Sequence, residues 1–131
     1  MAGLVVVDTD LVIDFLRGKG AGVSLVRELI SSRRIRLTAL TAFELRMGTD
    51  FHRCHQEILK LLKARTLPLD MAAGLRAGEA ASLLRDAGTP IGFADCLQAG
   101  ICIRNNLPFA TRNRRHFERI PQLSLVDLAE V

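Results

Sequence analysis

The chain opens on an uninterrupted apolar run, Leu4-Val5-Val6-Val7, that stops at Asp8. A run so short, mostly β-branched and apolar at consecutive positions predicts a strand buried on both faces, as in a parallel sheet covered by helices. The period then changes. From Asp10 to Arg17, Leu11, Val12, Phe15 and Leu16 share one side, which predicts an amphipathic helix with Asp10, Asp14 and Arg17 toward solvent. Gly18-Lys19-Gly20 ends it.

The alternation continues to the end of the chain. Helices are predicted over 23–31, from Thr41 to about Gly48, over 51–64, over 71–85 and over 93–105. Short extended pieces are predicted around Ile35-Arg36-Leu37-Thr38, Thr66 to Asp70, Asn106 to Thr111 and Leu123 to Val126. Asp86-Ala87-Gly88-Thr89-Pro90 separates the last two long helices. Strands alternating with helices imply an α/β fold, a sandwich with a mainly parallel central sheet. No repeat, linker or low-complexity tract divides the chain, so the 131 residues are expected to form one domain.

Composition narrows the function classes. Apolar residues make up 49% of the chain, enough for a core and too many for disorder. No apolar segment approaches the roughly 20 residues that cross a membrane, and the N-terminal run lacks the basic flank of a signal peptide. A cytoplasmic protein without a membrane partner is expected. Cys54, Cys96 and Cys102 show no C-x-x-C spacing and read as free buried thiols. The net charge of +4 is compatible with a polyanion or an acidic partner, while the absence of Trp and Tyr disfavours recognition by stacked bases.

The strand reading places Asp8 at the carboxyl edge of the sheet, where open α/β folds place ligands. Two further acids sit in apolar surroundings: Glu44 in Leu40-Thr41-Ala42-Phe43-Glu44-Leu45, and Asp95 in Ile91-Gly92-Phe93-Ala94-Asp95-Cys96-Leu97. Acids are rarely buried without a partner, and three that converge repel one another unless a divalent cation such as Mg²⁺ intervenes. Plainer readings stand beside this one. Thr41-x-x-Glu44 matches a capping box, Asp8 fits a helix cap, and Asp95 suits the positive end of a helix dipole. Thr111 and Asn113, just after a strand, offer oxygen ligands or water-positioning groups, or form a polar turn.

In order and spacing, strand-Asp8-Thr9, Thr41-x-x-Glu44-Leu45-x-x-Gly48, Asp95-x-x-Gln98-Ala99-Gly100, Leu107-Pro108-Phe109-Ala110-Thr111-Arg112-Asn113-Arg114-Arg115-His116-Phe117 and the ending Ile120-Pro121-Gln122-Leu123 resemble the PIN domain. The likeness is to VapC-type toxins of bacterial toxin–antitoxin pairs. It implies a PIN-like three-layer α/β sandwich and a metal-dependent endoribonuclease that hydrolyses RNA phosphodiesters with Mg²⁺ or Mn²⁺. Asp8, Glu44, Asp95 and Asn113 are then the expected catalytic residues, with Asp8 and Asp95 as direct metal ligands. Glu44 would orient or deprotonate the attacking water, or bind metal through water. Asn113 stands where the family often has Asp, which argues for a supporting role rather than a second tightly held ion.

Thr9, Thr111, Arg112, Arg114 and Arg115 are expected to meet the RNA, with His116 alongside; a solvated basic turn is the plainer reading. Arg33, Arg34 and Arg36 read as plain surface, and His52, Cys54 and His55 match no four-ligand zinc spacing. The resemblance further implies a homodimer and a VapB-type antitoxin lying across the active site, with helices 23–31 and 51–64 as candidate surfaces. Three rivals remain. They are a housekeeping nuclease of the same fold, a non-catalytic binding module, and a haloacid-dehalogenase-type phosphatase using Asp8 as nucleophile. The last lacks a late Asp-Asp pair and a suitably placed lysine.

Overall fold

The computed structural model describes residues 3–128. Strand β1 (Val5–Val7) leads into helix α1 (Thr9–Arg17), then α2 (Gly22–Ser31) and β2 (Ile35–Thr38). Helices α3 (Ala39–Met47) and α4 (Phe51–Leu62) precede β3 (Thr66–Leu67). Long helices α5 (Met71–Asp86) and α6 (Phe93–Arg104) are followed by β4 (Phe109–Ala110) and the short α7 (Arg114–Phe117). The strands pair in the order β3-β2-β1-β4, and every pairing is parallel. The last predicted strand is reduced to one parallel bridge, Leu125 against Phe109.

The valines of β1 show why the sheet is covered twice. Val5 and Val7 pack with Leu11, Val26 and Leu29 of α1 and α2 on one face. Val6, between them, points the other way, toward Ala99, Cys102 and Phe109. Successive side chains of a strand alternate faces, so three consecutive buried valines need apolar helices on both sides. The result is the three-layer α/β sandwich expected. Cys54, Cys96 and Cys102 are all buried and unpaired. Among the described residues no helix is long and apolar enough to cross a membrane.

Helices α5 and α6 pack through small residues. A Cβ on Gly100 would lie 2.4 Å from the Ala73 carbonyl oxygen and 2.6 Å from the Ala77 Cβ. This close approach seats α6, and with it Asp95 and Gln98, firmly against the rest of the fold. On the opposite face of the sheet, Gly22 has the same function between α2 and the Leu11 backbone of α1.

Two local expectations need correction. Helix α3 begins at Ala39, two residues before the predicted start, because Thr38 at the end of β2 accepts from the Thr41 amide and is the cap. Asp14 does not face open solvent. Its side chain is 13% exposed, accepts from the Gly22 amide at 3.0 Å and pairs with Arg112.

Candidate active site

Parallel strands deliver their C-terminal ends to one edge, and the residues that follow β1, β2 and β4 meet there. Asp8 caps α1: its Oδ1 accepts from the Thr9 amide at 2.8 Å. Its other oxygen accepts from Thr111 Oγ1 at 2.7 Å, and Thr111 in turn accepts from the Asn113 amide at 3.0 Å. The cap reading of Asp8 is therefore correct and incomplete, because the same carboxylate is also held from β4 across the sheet. Asp8, Asp10, Glu44, Asp95, Gln98 and Asn113 together line one cavity of about 100 Å³.

Glu44 is not the second half of a capping box, since Thr41 is not the cap. Its Oε1 accepts from Thr9 Oγ1 at 2.7 Å. Thr9 Oγ1 also lies 2.9 Å from Thr41 Oγ1, which accepts from Gln98 Nε2 at 3.3 Å. Thr38 Oγ1 closes the network by donating to Gln98 Oε1. Thr9, Thr38, Thr41 and Gln98 are all buried, so the floor of the cavity is a fully partnered polar layer inside an apolar shell. The sequence motifs contain Thr41 and Gln98 without revealing this role. The signal available was an isolated glutamine in an otherwise apolar stretch of α6.

Asp95 lies in the first turn of α6, where the helix dipole favours a negative charge. Its Oδ2 is 2.9 Å from His116 Nδ1, which is also 2.9 Å from Asn113 Nδ2. One ring nitrogen cannot donate to Asp95 and accept from Asn113 at once. Turning the Asn113 amide by half a rotation lets a single Nδ1–H serve both acceptors. Edge-to-face packing of Phe117 on Phe109, centroids 4.9 Å apart, anchors α7 and so places His116.

Burial pushes the Asp8 carboxyl up to about 6 from an ordinary 3.8; the charges of Asp10 and Asp95 raise it further, and the bonds from Thr111 and Thr9 oppose the rise. Asp10, expected from the helix pattern to face solvent, is exposed but lines this cavity, and its charge acts on Asp8. The donor set is all oxygen and the charge is in excess, which suits a hard divalent cation such as Mg²⁺ or Mn²⁺. Among the described residues no three His, Cys, Asp or Glu side chains are gathered closely enough to hold an ion as they stand.

The expected RNA contacts divide. Thr9 and Thr111 are buried and their hydroxyls serve Glu44 and Asp8, and of the two Thr9 also lines the acidic cavity. Arg112 is paired with Asp14, Nη1 to Oδ2 at 2.5 Å, and Arg114 donates to the Val126 carbonyl at 2.9 Å. Arg115 lies outside the acidic cavity, in a neighbouring one that His116 also lines. Elsewhere, His52 and His55 are exposed while Cys54 between them is buried.

The PIN domain family model matches residues 5–123. A tRNA(fMet)-specific endonuclease VapC of Salmonella typhimurium is 27% identical over 103 residues, covering 75% of this chain and 78% of its own. Among solved structures, DNA-bound VapBC from Salmonella typhimurium superposes with a TM-score of 0.77 at 25% identity, covering 97% of this chain and 99% of that one. FitAcB from Neisseria gonorrhoeae gives 0.81 at 23%, covering 98% and 100%, a likeness of fold. With its family match running from β1 past α7, and its acids gathered at the edge where that match begins, the chain belongs to the PIN domain family.

Proposed function

We propose that this protein is a divalent-metal-dependent endoribonuclease and the toxin of a VapBC-type toxin–antitoxin pair. The observation that carries the reading is the convergence of Asp8, Asp10, Glu44, Asp95 and Asn113 on one cavity in a chain of this family. The VapC relative and the VapBC complexes among the structural neighbours support the same reading. A tRNA is the first substrate to try, because the VapC relative is a tRNA endonuclease.

Asp8 and Asp95 would hold the ion, with Glu44 bound directly or through water. When bound, Mg²⁺ or Mn²⁺ supplies Lewis acidity and lowers the pKa of a water molecule. The chain's own residues do the remainder. Glu44, fixed on one oxygen by Thr9, keeps the other for taking a proton from the attacking water. Asn113 sits beside Asp95 through His116 and orients that water.

The antitoxin and a second copy of the chain need apolar surface. Exposed apolar side chains lie chiefly on α3 (Phe43, Met47), on α5 (Met71, Leu75, Leu83) and at Phe93, with Leu59 on α4. Helix α2 buries Leu25, Val26 and Leu29 in the core, so α3 and α5 replace it as the surfaces assigned to partners.

The test is cleavage of total RNA and purified tRNA by the protein with Mg²⁺ or Mn²⁺, with and without chelator. Cleavage that chelator abolishes, and that Asp8→Asn and Asp95→Asn lose by at least a hundredfold, is expected. Equal cleavage by Asp8→Asn, or none by the metal-loaded wild type, sinks the reading.

A further inference from the structure

The basic run after β4 carries Arg112, Arg114, Arg115 and Arg119, and the structure sorts them. Arg112 and Arg114 are held by Asp14 and by the Val126 carbonyl. Arg115 and Arg119 form no ion pair or hydrogen bond among the described residues, and both are exposed. They line a cavity of about 320 Å³ together with His116 and Glu118, walled by Pro90 and Ile91 from the turn between α5 and α6. His116 is the shared partition. It lines this cavity while its Nδ1 sits 2.9 Å from Asp95 in the acidic one.

We infer that this second cavity is an RNA subsite, in which Arg115 and Arg119 hold the phosphate of the nucleotide next to the scissile one. The inference rests on the ribonuclease reading above. An acidic cavity repels a polyanion, so a strand entering it needs positive charge within one nucleotide's reach. Free guanidinium groups supply that charge in a geometry matched to phosphate oxygens. Glu118 on the same wall subtracts one charge and leaves the pair of arginines in excess. Pro90 and Ile91 give the attached sugar or base an apolar wall, which a site for a bare inorganic anion does not need. An acidic peptide is the less fitting occupant, because it would have to run on past the acidic cavity without a reacting group to place there.

The test is fluorescence anisotropy of a labelled single-stranded oligoribonucleotide in chelator, across a KCl series. Replacing both arginines (Arg115→Ala with Arg119→Ala) is expected to raise Kd roughly tenfold and to flatten the salt dependence by about 0.7 for each phosphate no longer neutralised. Lysine at both positions recovers part of the affinity. Arg27→Ala, which removes an exposed charge from α2, stays near wild type. Equal weakening by Arg27→Ala and the double variant overturns the subsite, as does a wild type that binds no RNA. Tighter, arginine-dependent binding of a poly-glutamate peptide than of RNA also overturns it. Arginine-dependent RNA binding without any metal-dependent cleavage leaves the subsite standing and overturns the nuclease reading instead.

Discussion

Thr9 donates its hydroxyl to Glu44 Oε1 at 2.7 Å, and that bond fixes the direction of every hydrogen bond behind it. Thr9 has one hydroxyl hydrogen, so Thr41 must donate to Thr9 across the 2.9 Å between their oxygens. Thr41 then accepts from Gln98, and Gln98 accepts from Thr38. Four donors in series, drawn from α1, β2, α3 and α6, all point toward one carboxylate. Buried chains of this kind polarise in concert and penalise any unpaired member.

Thr9→Val should therefore cost about 1–3 kcal/mol of stability, since it leaves the Thr41 hydroxyl hydrogen without an acceptor and Glu44 Oε1 without its donor, while Thr41 still accepts from Gln98. Thr9→Ser keeps the hydroxyl and should stay close to wild type. Urea unfolding of the three proteins decides this, and an unchanged midpoint for Thr9→Val would show that the network contributes nothing. RNA cleavage should fall with Thr9→Val and be retained with Thr9→Ser, because Glu44 loses its anchor only in the first.

The raised Asp8 carboxyl predicts an unusual pH dependence. Its value is 3.8 ordinarily and about 6 in the fold, so between those limits the folded protein binds more protons at Asp8 than the unfolded chain. Stability from this group is complete below about pH 4 and is lost as pH rises through 6, by at most about 3 kcal/mol. Asp8→Asn cannot titrate. Its stability relative to wild type, followed by urea unfolding of the metal-free proteins, should rise across that window and then level off. A constant difference would refute the shift. Divalent cation affinity should run the opposite way, weakening below about pH 6 as Asp8 takes a proton.

Gly100→Ala tests the seating of α6. The added Cβ would meet the Ala73 carbonyl oxygen, a backbone atom that moves only if α5 moves with it. Overpacking of this sort costs about 1–3 kcal/mol, and thermal unfolding should show it. Gly74→Ala on α5, where a Cβ meets nothing within 4 Å, is the control and should not destabilise the protein. Because α6 carries Asp95 and Gln98, Gly100→Ala should also reduce RNA cleavage.

The layered α/β fold was legible because β1 and the long helices announce themselves by period. Val5, Val6 and Val7 can be buried together only in a sheet covered twice. The approximate positions of the acids followed, since Asp8 ends a strand, Asp95 lies in the first turn of a helix and Glu44 lies on the helix that leaves β2. What was hidden depends on which segments become neighbours. Thr38 outcompetes Thr41 as the α3 cap because β2 pairing extends the chain as far as Thr38. Arg112 and Arg115 are alike in sequence, yet only Arg112 lands beside Asp14. Asp10 was hidden in the same way: an exposed helix position is not thereby distant from a cavity.

Asp10 gives the sharpest comparison with a neighbour on its own helix. Asp10 lines the acidic cavity and its charge acts on Asp8, whereas the Asp14 carboxylate is turned toward Gly22 and Arg112. Both substitutions, Asp10→Asn and Asp14→Asn, remove one negative charge from α1. A unit charge acting through partly solvated surroundings is worth on the order of 1 kcal/mol, about fivefold in affinity. Calorimetric titration with Mn²⁺ should show that weakening for Asp10→Asn and almost none for Asp14→Asn. The Asp8 carboxyl should also titrate lower in Asp10→Asn, which carbon-detected NMR of the side chain can follow. Equal weakening by the two variants would mean that net charge alone draws the cation, and the position of Asp10 on the cavity wall would then count for nothing.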